Sequence, residues 1–150
     1  MMNLRAKAPA AVWGVGSATV APILIATAVF CYGPKQSQQS ALWALTAFST
    51  VLLAYLGGIR AGWEVERPQP RWTVTGLSLL APVAASILLL LTPVIAPAWM
   101  IGGLLTAHIA QWAWDATTHD GPDWRPRMRT FLTAGTALSL AFALEQALHI

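Results

Sequence analysis

Five apolar stretches, each about as long as a bilayer core is thick, run through this chain between short polar islands: about 9–32, 41–62, 72–92, 97–114 and 130–148. Each approaches the roughly 20 residues that an α-helix needs to cross a hydrocarbon core of about 30 Å. In lipid every backbone N–H and C=O must find its partner inside the segment, which restricts such stretches to helices. The pattern predicts an all-α integral membrane protein, a five-transmembrane-helix bundle forming a single domain over residues 1–150.

The islands refine these elements. Segments three and four are separated only by Pro93-Val94-Ile95-Ala96-Pro97. Two prolines around three apolar residues predict a tight turn and a helical hairpin rather than one long helix. Pro22 and Pro82 fall inside segments one and three, where a missing N–H should kink the helix or free a carbonyl. Gly14-x-x-x-Ala18, Gly103-x-x-x-Ala107 and Ala137-x-x-x-Ala141 are small-xxx-small patterns that let helices approach closely. Gly57, Gly58 and Gly103 are the candidate helix-packing glycines. Five spans without an internal repeat disfavour an inverted-repeat transporter.

Composition supports the bilayer reading. The chain is 56% hydrophobic and only 10% charged, against roughly 25% charged residues in a soluble domain. Charge adds an orientation. Arg5 and Lys7, then Arg60, Arg67 and Arg71, then Arg125, Arg127 and Arg129 occupy alternate islands, and the intervening ones hold only Lys35. Basic residues resist translocation, so the expectation is a cytoplasmic N-terminus, a periplasmic C-terminus and a multi-pass protein of the bacterial inner (cytoplasmic) membrane. The same alternation explains the net charge of +3 and pI near 9.6 without a nucleic-acid partner. Trp63 and Trp72, then Trp112, Trp114 and Trp124, flank the basic loops, and Trp99 opens segment four, as an interfacial aromatic belt would.

The first residues have the outline of a secretory signal, with Ala26-Thr27-Ala28 placed like a cleavage site. The apolar run from Ala8 to Tyr32 exceeds a signal core of roughly 7–15 residues, so retention is expected. The one cysteine, Cys31, excludes an internal disulfide and a thiolate metal site.

Chemistry could reside in few places. Arg60 closes segment two, Asp115 closes segment four on the same side, and Gln111 lies one turn before Asp115 on the same face. An Arg60–Asp115 pair is the expectation, with snorkelling of Arg60 or a ligand-binding role as alternatives. His108 lies within segment four, and His108, Gln111 and Asp115 form an i, i+3, i+7 stripe. With Tyr55 and Arg60 at similar depth, these five residues mark a candidate polar pocket or helix-pairing site. His119 lies in a loop and His149 at the far face, so a two-histidine haem or zinc centre cannot be assembled in one chain, and no metal or cofactor is expected. Asp120-Gly121-Pro122-Asp123 reads as a turn, and Arg125-Pro126-Arg127-x-Arg129 as the anchor of helix five. Glu145 and Gln146 fall near the exterior end. There is no Gly-x-Ser-x-Gly elbow, phosphate-binding glycine loop or His-Glu-x-x-His, and enzyme activity is not expected.

Two segments carry a family resemblance. One is Tyr55-Leu56-Gly57-Gly58-Ile59-Arg60-Ala61-Gly62-Trp63-Glu64. The other joins Gln111-Trp112-Ala113-Trp114-Asp115 to the run from Trp124 through Thr133. Over roughly Ala41–Thr133 the chain resembles a domain-of-unknown-function family of small inner-membrane proteins that includes the mitochondrial "transmembrane protein sixty-nine". It departs in having Ala61 where that family has a tryptophan after the helix 2 Arg or His, with Trp63 two positions on. The resemblance implies architecture and no activity. The functional expectation is a non-catalytic accessory or assembly subunit contacting lipid and other membrane proteins. The alternative is a binder or carrier of a lipid or hydrophobic small molecule, with a polar pocket near the cytoplasmic face.

Overall fold

The structure is a computed structural model that describes residues 10–117 and 124–149, apart from the side chain of Val12. Arg5, Lys7, His119, Asp120 and Asp123, and with them the Asp120–Asp123 run read above as a turn, lie outside the described residues. Among the described residues five helices follow one another: α1 Ala10–Tyr32, α2 Lys35–Val65, α3 Trp72–Leu90, α4 Pro97–Ala116 and α5 Trp124–Leu148. Successive helices pack side by side, α5 returns against α1, and α2 also crosses α4. With three neighbours each, α2 and α4 are the central elements.

Two helices outrun their apolar stretches. α2 has 31 residues and starts at Lys35 rather than Ala41. Lys and Gln are good helix formers, and Pro34 fixes the entry as the N-cap with φ −62°. Loss of hydrophobicity alone therefore does not end the helix. α5 starts at Trp124 rather than at residue 130, with Pro126 in its first turn, where a missing N–H removes no intrahelical bond.

Four helices, α1, α2, α3 and α5, are long and apolar enough to cross a membrane. Together they make the chain a multi-pass membrane protein. α4 has 20 residues, but His108, Gln111, Asp115 and its tryptophans lower its mean hydropathy.

The core is built from Leu45, Leu52 and Leu53 of α2, Met100, Ile101 and Leu104 of α4, and Leu132 and Leu140 of α5, with Ile23 of α1. Close approach depends on particular glycines. A Cβ on Gly57 would lie 2.5 Å from the Ser78 carbonyl oxygen and 2.7 Å from Pro82 Cγ. Pro82 has no N–H to bond Ser78, four residues earlier, so the freed carbonyl meets the bare backbone of α2 instead. Gly103 abuts Leu88, Gly16 abuts Leu132, and Gly135 abuts Val20.

Two expected packing positions are corrected. Gly58 and Gly14 have nothing within 4 Å of an added Cβ. Gly58 lies about 100° around the helix from Gly57, which turns it outward. The prolines terminate α3 and open α4 as the hairpin requires, with the Ile95 N–H donating to the Leu91 carbonyl at 3.1 Å. Four buried hydroxyls are silenced locally: Thr46, Thr50, Ser78 and Ser139 each donate to the carbonyl four residues back, at 2.7–2.9 Å.

Candidate functional site

Arg60 projects from the inward face of α2 as its last turns leave the core, and Asp115 ends the inward stripe of α4. The Arg60 Nη1 donates to Asp115 Oδ1, and the Arg129 Nη2 of α5 pairs with Asp115 Oδ2. One carboxylate thus joins three helices. All three side chains are withdrawn from the surface, with relative exposures of 7% for Arg60, 9% for Asp115 and 6% for Arg129. The Arg60 guanidinium also lies 5.2 Å from the Trp114 ring centroid, and Arg125 lies 5.1 Å from that of Trp63. These tryptophans place a negative π-face against each cation.

Deeper in the bundle His108 is 1% exposed. Its Nε2 sits 3.2 Å from the Ser49 carbonyl oxygen of α2, so the tautomer that bonds here carries its proton on Nε2. His108 Nδ1, Gln111 Nε2, Ser49 Oγ, Thr136 Oγ1 and Arg129 Nε are buried and have no hydrogen-bond partner among the described residues. Polar groups therefore run from the Arg–Asp–Arg cluster toward the middle of the bundle along α4.

A second ionic knot closes loop 2–3. Glu64 accepts the Arg71 backbone N–H at 2.9 Å, Arg71 Nε at 2.8 Å and Arg71 Nη2 at 3.0 Å, while Arg67 Nε lies 3.4 Å away. The loop is thus folded back on the end of α2. Across the bundle, Trp112 Nε1 donates to Thr130 Oγ1 at 3.1 Å, tying α4 to α5 beside the cluster.

Residues 8–145 match the family model described as a protein of unknown function (DUF3429). The chain belongs to the DUF3429 family. No curated protein and no solved structure matches it. The DUF3429 match takes in all of α1 and nearly all of α5 as well as the central helices. Every residue of the cluster therefore lies inside the family domain.

Within this DUF3429 chain the structure brings Arg60, Asp115, Gln111 and His108 onto inward faces, and seats Gly57 and Gly103 against neighbouring helices. Tyr55 is corrected: it is 40% exposed and lies about 140° around α2 from Arg60, at ~100° per residue. Equal depth did not mean equal face. Arg129 was missed as a cluster member because the charge pattern cast it as an anchor. The signal was its helical register, since Arg129, Leu132, Thr133, Thr136, Leu140 and Ala143 form one buried stripe. Among the described residues no group of three or more His, Cys, Asp or Glu is placed to hold a metal ion. A groove of about 620 Å³ between α1 and α2, lined by Ala18, Pro22, Ile25, Val29, Ala44 and Phe48 among others, lies toward the opposite end of α2 and is apolar.

Proposed function

We propose that the protein is a non-catalytic accessory or assembly subunit of a larger complex in the bacterial inner membrane. In this reading all five helices span, with the N-terminus and loops 2–3 and 4–5 cytoplasmic and the C-terminus periplasmic. The likeness to the family of the mitochondrial transmembrane protein sixty-nine belongs to the same proposal. The observation that carries it is where reactive groups point. Asp115 is held by two guanidiniums, and His108 is bonded to a backbone carbonyl of α2.

The outward surface is built of apolar side chains interrupted by open glycines: Gly14, Gly58, Gly62 and Gly76 have no neighbour within 4 Å of an added Cβ. Such a surface suits other helices and lipid, because bare backbone is where transmembrane helices approach most closely.

Extraction of native membranes in mild detergent, followed by affinity purification and protein identification, tests the reading. A partner at fixed stoichiometry supports it. A monomer without partners in every detergent tried refutes it.

A further inference from the structure

We propose that the Arg60–Asp115–Arg129 cluster, with Gln111, is a binding site for an oxyanion of the phosphate class.

Two guanidiniums meet one carboxylate, which leaves one excess positive charge on side chains that are all at least nine-tenths withdrawn from the surface. A buried net charge is costly, and an internal pair offsets its desolvation only when the remaining hydrogen-bonding capacity is also used. Here that capacity is unused in a particular way. Arg129 Nε and Gln111 Nε2 are buried without partners among the described residues, and both are donors. Water would satisfy these groups but would leave the excess charge in place. An oxyanion supplies acceptors and the opposite charge together, and the planar guanidinium suits phosphate geometry.

Placement adds to this. Gln111 precedes Asp115 by one turn on α4, so its amide and the carboxylate share a face. The cluster lies at the end of the bundle where α2 and α4 finish and α5 begins. Arg125, on the same turn, adds cationic field from its seat over Trp63. Basic pockets between transmembrane helices hold lipid headgroups by this chemistry. A phospholipid phosphate and free inorganic phosphate are the two sources.

The test uses the full chain in neutral detergent, with tryptophan fluorescence reporting thermal unfolding at constant ionic strength. Inorganic phosphate is titrated against chloride in one arm. Short-chain phosphatidylglycerol is titrated against short-chain phosphatidylcholine in the other. A saturable rise in Tm with inorganic phosphate supports the site and identifies a free anion. A saturable rise with phosphatidylglycerol alone supports it and identifies a lipid headgroup.

The apparent Kd should increase at least tenfold in Arg129→Gln and in Gln111→Leu, and stay unchanged in Arg127→Gln. Should Arg129→Gln fail to fold, Gln111→Leu decides, and unweakened binding there overturns the proposal. It is equally overturned by the lack of a saturable anion effect in both arms, or by an equal loss in Arg127→Gln, which would indicate diffuse surface charge. Binding that emerges only in Asp120→Asn/Asp123→Asn would overturn it too, because the countercharge would then come from the chain.

Discussion

Replacing Asp115 with asparagine should cost more than any other single change in the ionic cluster, because it strands two cations at once. At an effective dielectric of about 20, each guanidinium at ~4 Å gains about 4 kcal/mol from the carboxylate. Asp115→Asn removes both attractions while the repulsion between Arg60 and Arg129 remains. Relaxation and partial rehydration recover some of this, so the expected loss is about 3–5 kcal/mol, the range for removing one partner of a buried pair. Arg129→Gln removes one attraction and the repulsion together, and Asp115 keeps Arg60. Its expected cost is about 1–2 kcal/mol.

The two variants should therefore differ by at least about 1 kcal/mol, roughly 5-fold in the unfolding constant. The double variant should be more stable than Asp115→Asn alone, since one stranded charge is gone. Unfolding by sodium dodecyl sulfate in mixed micelles, in phosphate-free buffer and followed by tryptophan fluorescence, measures all three. If Arg129→Gln costs as much as Asp115→Asn, or if the double variant is the least stable, Asp115 does not serve both arginines and the account fails.

Gly57→Ala should destabilise by about 1–3 kcal/mol, because the added methyl meets the Ser78 carbonyl and Pro82. Gly58→Ala, one residue on and open outward, should be neutral or slightly stabilising, and thermal melting compares the pair. Glu64→Gln weakens the Arg71 contacts that fold loop 2–3 back, so amide exchange over residues 66–75 should accelerate while that of α4 does not. For topology, Gln69→Cys and Gln38→Cys in a Cys31→Ala background should differ in labelling by a membrane-impermeant thiol reagent on intact cells. Only Gln38→Cys should react, and the reverse pattern would invert the proposed orientation.

Much of the helix layout was legible because apolar length is a direct consequence of bilayer thickness. The start of α2 was not, since residues 35–40 are polar yet helix-competent, and hydropathy reports the solvent rather than the backbone. Arg60 and Asp115 could be connected from depth and membrane side alone. Tyr55 was misassigned by the same reasoning, because depth says nothing about angle around the helix axis. Arg129 shows the complementary failure. Counting basic residues assigns a side of the membrane, but only helical register separates an anchor from a cation inserted among three helices. The Gly57–Pro82 approach was half visible: each residue was singled out, but their juxtaposition required the α2–α3 crossing.

The Arg–Asp–Arg cluster also has a consequence in time. Asp115 follows Arg60 by 55 residues, so at synthesis rates of about 5–20 residues per second the guanidinium of α2 waits roughly 3–11 s for its carboxylate. Arg129 arrives within a few seconds more at the same rate. Until then α2 can enter the bilayer only as far as Arg60 can keep its charge among the headgroups. The final seating of α2 is thus coupled to the arrival of α4 and α5, and a nascent chain halted between them retains an exposed cation that quality-control factors could recognise as unfinished.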